Sequence, residues 1–367
     1  MIQPRLKIAL VGDMLSSGGA EKVQARLSFY FESQGIEVHH IIVRDEVTYD
    51  FAGVLFNMGK LKNESNGFLN KYNRLKALRK YLNDNQFDFI IDFRVKNKFL
   101  QEFIIANWIY KSPFIMSIRS FDTNYYFPKS DFLASRIYKK AFGFVTVSKA
   151  LESEIKTRFK YQNVKTIYNP IVSEDMKRLA EVAPVSDHKY FLGIGRMENS
   201  VKQFDHMIAA FHDSEARTRG FKLLIIGEGL FKEQLEIQAR DLDIENDVIF
   251  IGQTANPFAY YKNAYATLLT SRNEGFPNVL IESLAVVTPV ISYDCKSGPA
   301  EIISPRTNGL LVKNQSQESF IVALNEMMSD KELYNTCKLN ASKSVENLEI
   351  GIIGDQWLEF MNLKICV

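Results

Sequence analysis

Two successive series of short apolar runs, with helical patterns between the runs, limit most strongly how this chain can fold. The runs of the first series lie at residues 6–12, 38–43, 53–58, 87–93, 113–118 and 143–148. The runs of the second series lie at residues 190–196, 221–229, 247–252, 264–271, 288–293 and 309–312. Strands that alternate with helices favour a parallel sheet covered on both faces. The sequence therefore predicts an α/β protein with two doubly wound domains.

The segment between the two series predicts the domain boundaries. It contains two prolines and a polar middle within residues 168–189, which is typical of a linker. We assign residues 1–172 to the first domain, 173–188 to the linker and 189–349 to the second domain. A helical pattern within residues 350–367 is predicted to pack back on the first domain. Ligands of such sheets bind beyond the carboxyl ends of the strands, so a cleft between two rows of strand ends is expected.

Composition places the chain among ordinary globular proteins, with 46% hydrophobic and 24% charged residues in a length of 367. Its cysteines, Cys295, Cys337 and Cys366, show no CxxC spacing, so neither a disulfide framework nor a structural metal is expected. The first residues lack the apolar core of a signal peptide, and no apolar run reaches the ~18 residues of a membrane span. We expect a cytoplasmic protein.

Charge is distributed unevenly along the chain. Residues 1–175 hold 26 Lys and Arg against 18 Asp and Glu (net +8), and residues 176–367 hold 19 against 25 (net −6). This favours an anionic partner for the first domain, either a phosphate-bearing substrate or an anionic membrane surface. The basic helical stretch at residues 71–80 fits either a solvated helix face or docking at the inner face of the membrane. Nucleic acid is not expected, because no recognition helix or aromatic RNA-binding motif is present.

The segment RNEGFPNVLIESLAVVTPV at residues 272–290 combines two carboxylates, a Gly-Phe-Pro turn and an apolar helix. If the helix begins at Pro277, Glu274 lies in the loop before it and Glu282 in its second turn. The first-turn amides would then form an anion site with the helix dipole. These amides belong to Asn278, Val279 and Leu280. Two interpretations remain: the acids are dipole partners or solvated groups, or they bind sugar hydroxyls on either side of a phosphate.

Loops after other strands of the second series carry residues that suit a diphosphate. Gly195 and Arg196 follow the first strand, and Lys202 stands at the start of the next helix. Arg196 suits forked hydrogen bonding, and Lys202 suits the role of a point charge. Gly227 and Glu228 repeat the arrangement after the following strand. Each is an ordinary loop residue alone, but the parallel sheet is predicted to bring them to one edge.

Two loops of the first series also end at the predicted ligand-binding edge. Gly18 and Gly19 precede a helix and allow close approach of a ligand, although such a pair is more often only a turn. Arg119 and Asp122 follow a buried strand in the loop SIRSFDTNYYFP. Asp122 either caps the local turn or contacts a ligand together with Arg119.

A series of short motifs, taken together, resembles one known family. The motifs are GGAE (18–21), VSKAL (147–151), YNP (168–170), GIGR (193–196), IIGEG (225–229), EGFPNVLIES (274–283), TPVIS (288–292), SGPAEII (297–303) and NGLLV (308–312). In this order, and over nearly the whole chain, they are similar to the retaining glycosyltransferases of family 4. The resemblance implies the GT-B fold, in which two Rossmann-like domains face each other across a cleft.

The resemblance also implies roles for single residues. Arg196 and Lys202 would hold the donor diphosphate and take up the charge of the leaving nucleotide. Glu274 would contact the donor hexose and complete the catalytic set, and Glu282 would bind the ribose hydroxyls. Further donor-binding positions are Gly18, Gly19, Gly195, Gly227, Glu228, Phe276, Pro277, Asn278, Val279 and Leu280.

The chain departs from the family pattern at two places. Val287 stands where the family usually has the glycine of Ala-Cys-Gly-Thr-Pro, so we expect a tighter helix end but no lost ligand group. Many relatives have a histidine in the first-domain loop that residues 117–124 form here. Arg119 and Asp122 occupy that loop instead, and they are the candidates for the acceptor side.

The resemblance implies a displacement on one face of the sugar, in which the leaving diphosphate oxygen takes the acceptor proton and the anomeric configuration is retained. No metal cofactor is expected, because no Asp-x-Asp motif follows a strand in a suitable loop and positive side chains with helix amides would meet the leaving charge. The donor would be a uridine diphosphate (UDP) hexose or N-acetylhexosamine. The acceptor would be a glycan, on a polyprenyl diphosphate at the inner membrane face, in lipopolysaccharide, capsule or other surface-polysaccharide synthesis.

Other functions fit parts of the same pattern. One alternative is a cytosolic transferase that acts on a small soluble acceptor. Another is a non-catalytic protein that binds sugar nucleotides, although Arg196, Lys202, Glu274 and Glu282 are all present. Epimerase chemistry would need catalytic carboxylates in both domains, and the sequence offers no convincing pair.

Overall fold

The computed structural model describes residues 5–63, 67–96, 98–181, 186–198 and 200–363. The strands are β1 Lys7–Gly12, β2 Glu37–Ile42, β3 Val54–Asn57, β4 Phe89–Asp92, β5 Phe114–Ile118, β6 Gly143–Thr146, β7 Val164–Thr166, β8 Tyr190–Ile194, β9 Lys222–Ile226, β10 Val248–Gly252, β11 Ala266–Leu269, β12 Val290–Tyr293 and β13 Gly309–Val312. The α-helices are α1 Gly19–Ser33, α2 Phe68–Asn85, α3 Phe99–Ile104, α4 Asp131–Ile137, α5 Lys149–Arg158, α6 Ser173–Ala180, α7 Phe204–Asp213, α8 Lys232–Asp241, α9 Phe258–Asn263, α10 Asn278–Ala285, α11 Pro299–Ile302, α12 Gln317–Ser329, α13 Lys331–Asn340 and α14 Ile350–Phe360.

The chain divides into two compact units. The first unit comprises Met1–Pro170 with Ile350–Val367, and the second comprises Ile171–Glu349. Parts of two predicted segments lie outside the described residues. They are 182–185 of the predicted linker 173–188 and 364–367 of the predicted helical segment 350–367.

The first unit is built on a parallel sheet with the strand order β3-β2-β1-β4-β5-β6-β7. Every residue of β4, β5 and β6 is buried. Successive side chains of a strand point to opposite faces, so both faces of this sheet are covered. The order reverses between β1 and β4, and ligands of such sheets bind beyond the strand ends at this kind of reversal.

Helix α14 completes the first unit by packing on α1. The Tyr30 hydroxyl of α1 donates to the Asp355 carboxylate, and Lys165 at the sheet edge pairs with Glu359 at 2.6 Å. A Cβ added to Gly354 would lie 2.3 Å from the Tyr30 ring, so the two helices approach closely at this position. Trp357 is 1% exposed. Burial of this large side chain explains why the end of the chain joins the first unit.

The second unit repeats the plan with the strand order β10-β9-β8-β11-β12-β13, and the pairs formed by these strands are all parallel. Its core combines apolar residues of the sheet with those of α7, α8 and α12, among them Phe191, Phe211 and Phe320. The order reverses between β8 and β11. The predicted doubly wound architecture is therefore confirmed in both units.

Three local features differ from the sequence expectations. Residues 173–180, which we assigned to a linker, form helix α6, because Met176 and Ala180 lie one turn apart and are both buried in the second unit. Residues 164–166 form the short edge strand β7. Pro277 precedes α10 as its N-cap with extended backbone (φ −71°, ψ 106°), so the helix begins one residue later than predicted.

Candidate active site

The loops that follow β8 and β11 meet at the reversal of strand order in the second unit. The backbone amide of Arg272 donates to the carbonyl of Val201 at 2.8 Å. The buried hydroxyl of Thr270 donates to the carbonyls of Lys202 at 3.1 Å and Gln203 at 2.8 Å. The loop before α7 is therefore fixed to the end of β11, at the place where parallel sheets of this type bind ligands.

An ion pair between Lys202 and Glu274 occupies this junction. Lys202 Nζ lies 2.7 Å from Glu274 Oε1, which also accepts a 2.6 Å hydrogen bond from the Ser271 hydroxyl. The two charged side chains are 25% and 12% exposed. An ammonium group carries three donors, and Glu274 uses one of those of Lys202. The pair is therefore preformed, partly open to solvent, and able to donate further hydrogen bonds to an anion.

The start of α10 lies four residues after Glu274. Its N-cap, Pro277, provides no side-chain hydrogen bond to the helix. The amide of Leu280 donates to the Pro277 carbonyl at 3.1 Å. Contrary to our expectation, this amide is therefore not available to an anion. Asn278 and Val279 are partly exposed at the first turn. The helix dipole and this turn give the region a positive potential.

The loop after β12 is hydrogen-bonded to the segment before α10. The Glu274 amide donates to the Lys296 carbonyl at 3.2 Å, and the Ser297 hydroxyl donates to the Gly275 carbonyl at 2.7 Å. Gly298 has a φ of +98°, and a Cβ there would lie 2.5 Å from Pro277 Cδ. Only glycine allows this close approach without moving the start of α10.

Arg196 lies in a loop that two neighbouring loops hold in place. The Gly195 amide donates to the Ile226 carbonyl at 3.0 Å, and the Met197 amide donates to the Glu228 carbonyl at 2.8 Å. Gly227 has a φ of +145°, and a Cβ there would lie 1.9 Å from the Gly195 carbonyl oxygen. Arg196 itself is exposed, and no carboxylate within the described residues pairs with it. Its guanidinium is therefore a free cation at the same sheet edge as Lys202.

The two remaining acids that we singled out in this unit differ in setting. Glu228 pairs with Lys232 at 3.0 Å, one helical turn away on α8. Glu282 is 4% exposed on α10, and the Tyr261 hydroxyl lies 3.5 Å from its Oε2. The structure thus identifies a partner for the buried Glu282 carboxylate, which the sequence could not.

The residues that we singled out in the first unit lie at the edge of its own sheet. Gly18 is the N-cap of α1 and Gly19 its first residue, at the end of the loop that follows β1. Arg119 is partly buried after β5, where it donates to Asn169 and, at 3.3 Å, to Ser117, and burial lowers the pKa of Arg119 to about 10. Asp122 accepts from the backbone amide of Asn124 at 3.1 Å, as expected of a cap.

Sequence reasoning missed the hydroxyl groups that organise the site, those of Thr270, Ser271 and Ser297. The signal that could have found them is their position, because Thr270 and Ser271 follow a buried strand directly. Ser297 belongs to SGPAEII, a motif that we used only for the resemblance.

The described part of the chain offers neither a metal centre nor a membrane-spanning helix. There, no group of three or more His, Cys, Asp or Glu side chains is placed to hold a metal ion. Among the helices described, none has both the length and the apolar character that crossing a membrane would require.

Comparison with known proteins agrees with this geometry. The family described as "Glycosyl transferases group 1" matches residues 176–344, which lie in the second unit. A Campylobacter jejuni protein named N-acetylgalactosamine-N,N'-diacetylbacillosaminyl-diphospho-undecaprenol 4-alpha-N-acetylgalactosaminyltransferase is 28% identical over 92% of this chain and 95% of its own. An uncharacterized glycosyltransferase of Haemophilus influenzae is also 28% identical, over 58% of this chain and 59% of its own length. This chain thus spans less than two thirds of the Haemophilus relative.

Solved structures share the fold at low sequence identity. A glycosyltransferase from Rickettsia africae superposes with a TM-score of 0.76, at 17% identity and with 98% of each chain covered. The predicted resemblance therefore agrees with the comparisons: residues 176–344 match the group 1 glycosyl transferases, and both units have the Rossmann-like architecture of the GT-B fold.

Proposed function

We propose that the protein is a retaining glycosyltransferase, which moves a hexose or N-acetylhexosamine from a UDP-sugar to a lipid-linked glycan acceptor. The observation that carries the proposal is the Lys202–Glu274 pair at the strand-order reversal of the second unit, four residues before α10. A sugar diphosphate requires three kinds of group, and this region has all of them. A cation and a helix start bind its phosphates, and a carboxylate accepts hydrogen bonds from its hydroxyls.

The donor binds in this proposal with its diphosphate against Lys202, Arg196 and the first turn of α10. Lys202 keeps donors beyond the one that it gives to Glu274, and Arg196 is exposed beside the glycine loops. Glu274 then accepts from hydroxyls of the donor sugar. Glu282, one helical turn into α10, contacts the ribose. Gly195, Gly227 and Glu228 form the wall of the diphosphate site.

The chemical step breaks the bond between the anomeric carbon and the β-phosphate oxygen, and the electron pair stays on that oxygen. The acceptor hydroxyl attacks the anomeric carbon on the same face, and its proton passes to the departing oxygen. Lys202 and Arg196 stabilise the negative charge that develops on the diphosphate. These two cations perform the role that a metal ion has in other transferases, so we propose metal-independent transfer.

A lipid-linked acceptor is supported by two observations. The Campylobacter relative, which aligns with nearly the whole chain, has a name that specifies a diphospho-undecaprenol acceptor. Residues 1–175 carry a net charge of +8, which would attract phosphates and an anionic membrane surface. We therefore propose that the protein works at the inner face of the cell membrane, in the synthesis of a surface polysaccharide. Arg119 and Asp122 stay our candidates for contacts with the acceptor.

The proposal is tested by slow hydrolysis of UDP-sugars in the absence of acceptor, followed by transfer to a polyprenyl-diphosphate glycan. We expect hydrolysis of one donor, loss of at least about 100-fold with Lys202→Ala, and a product with the anomer of the donor. The matched control is Lys222→Ala, which removes a lysine of the same unit that pairs with Asp247. Equal rates for wild type and Lys202→Ala would identify a non-catalytic binding protein, and an inverted anomer would refute the same-face displacement. Transfer to soluble sugars but not to lipid-linked ones would favour the cytosolic alternative.

A further inference from the structure

A basic pocket in the first unit is lined by none of the residues named for the candidate active site. It consists of two adjoining cavities that share the lining residues Val43, Arg74 and Lys98, with volumes of about 140 and 650 Å³. The cations that line it are Arg44, Lys62, Lys71, Arg74, Arg94 and Lys98. The volume of about 650 Å³ leaves room for a diphosphate group in the larger cavity.

Most of the positive charge of the pocket is uncompensated. Arg94 is neutralised, because its guanidinium pairs with Asp92 at 2.7 Å and Glu102 at 3.0 Å. None of the other five cations forms an ion pair with a carboxylate in the described part of the chain. Two acids, Asp45 and Glu46, also line the larger cavity. Five unpaired cations against two acids leave a net positive pocket that suits an anion.

Arg74 gives the pocket a specific donor. Its Nη2 donates to the Val43 carbonyl at 2.7 Å, which fixes the guanidinium against the end of β2. Among the described residues its Nε is buried without a hydrogen-bond partner, and burial lowers the pKa of the Arg74 guanidinium. The Arg74 side chain lines both cavities, and a guanidinium that is held in one orientation suits the forked hydrogen bonding of a phosphate.

Apolar side chains beside the pocket indicate which kind of anion it takes. Helix α2 carries Lys71 and Arg74, and its first turns present Phe68, Leu69 and Tyr72 to solvent at 83, 75 and 57% exposure. Leu100, two residues after Lys98, is 71% exposed. Large apolar groups around a basic pocket suit a ligand that has phosphates at one end and a hydrocarbon chain at the other.

We propose that this basic pocket binds the diphosphate of a polyprenyl-diphosphate acceptor, with the Arg74 guanidinium, Lys98 and Lys71 as its cations. The assignment to the acceptor rests on the proposed function, but binding of the diphosphate is a property of the pocket that can be measured without donor. The exposed apolar side chains of α2 would contact the prenyl chain or the lipid around it. The charge of the pocket supplies the attraction, and Arg74 supplies the geometry.

The test is cosedimentation of the protein with phosphatidylcholine vesicles that contain polyprenyl diphosphate, compared with plain vesicles. Phosphatidylcholine has no net charge, so the diphosphate is the only anionic group of these vesicles. The first variant is Arg74→Gln, which also removes the hydrogen bond to the Val43 carbonyl. The second variant is Lys98→Gln, which changes an exposed side chain of the pocket. The matched control is Lys76→Gln, which removes the same charge from α2 outside the pocket. We expect a loss of at least about tenfold in affinity with Arg74→Gln, a smaller loss with Lys98→Gln, and less than about twofold with Lys76→Gln.

Three results would overturn the proposal. They are failure of the wild type to prefer vesicles with polyprenyl diphosphate, wild-type affinity in both pocket variants, and equal losses in the pocket variants and in Lys76→Gln. Inorganic pyrophosphate is titrated as a competitor, and if it binds as tightly as the lipid, the assignment to a lipid is wrong. Because no UDP-sugar is present, failure of the pocket is distinguishable from failure of the proposed transferase reaction.

Discussion

Substituting Gly227 tests whether the loop that carries Arg196 must stay where the structure places it. Gly227 has a φ of +145°, and a Cβ there would lie 1.9 Å from the carbonyl oxygen of Gly195. Carbon–oxygen contacts are normally no shorter than about 3.3 Å, so Gly227→Ala must move the two loops apart by about 1.4 Å. The strained backbone adds a cost of about 1–3 kcal/mol.

The displacement should affect function more than stability. A shift of about 1 Å in a substrate-positioning group lowers activity about 100-fold. We therefore expect Gly227→Ala to reduce kcat/KM for the UDP-sugar by about two orders of magnitude. Gly220→Ala is the matched control, because Gly220 also has a positive φ (+77°) but an added Cβ would meet nothing within 4 Å. It should cost about 1 kcal/mol of stability and leave activity unchanged.

The assay is steady-state turnover of the UDP-sugar, with urea unfolding followed by circular dichroism on the same samples. Unfolding shows whether each variant is folded under the conditions of the activity measurement. If folded Gly227→Ala turns over donor as fast as Gly220→Ala, the contact between the Gly227 and Gly195 loops does not position the diphosphate site, and the reasoning fails.

Two further predictions concern stability. Val287 has a φ of +67° at the end of α10, where the Thr288 amide donates to the Ser283 carbonyl, so Val287→Gly should raise the free energy of unfolding by about 1 kcal/mol; an unchanged or lower urea midpoint would contradict this. Buried His40 accepts from Gln24 and contacts the Ala52 carbonyl, and burial lowers the pKa of His40 to about 4 from an ordinary 6.5. The unfolded chain therefore binds a proton at this histidine at higher pH than the folded chain does. Stability is lost as the pH falls from 6.5 to 4. The loss from pH 7.5 to pH 5 should be about 2 kcal/mol greater in wild type than in His40→Gln, and equal pH dependence would refute it.

The sequence predicted the fold well where its signals were local and strong. Mainly apolar runs such as β8 and β9 become buried strands whatever their neighbours, since only a layer covered on both faces can bury them. Helix α6 was missed because its buried face consists of only Met176 and Ala180, so its polar residues resemble a linker. Strand β7 was missed because it has three residues at the sheet edge.

The candidate site could be predicted as a set of residue types but not as contacts. Lys202 and Glu274 are 72 positions apart, and they meet only because β8 and β11 are neighbours in the sheet. The role of Ser271 as a partner of Glu274 likewise depends on the turn after β11. The basic stretch at residues 71–80 had two interpretations in the sequence. The structure adds what the sequence lacked, a pocket that Arg74 and Lys71 of this stretch line.

The central claim is that the sugar nucleotide binds at the carboxyl edge of the second sheet, against Lys202 and the start of α10. Hydrogen–deuterium exchange with and without UDP measures this most directly. The account predicts slower exchange in peptides that cover residues 195–203 and 272–282, with loss of the effect in Lys202→Ala. Unchanged exchange in both segments at saturating UDP, or protection confined to other parts of the chain, would contradict it.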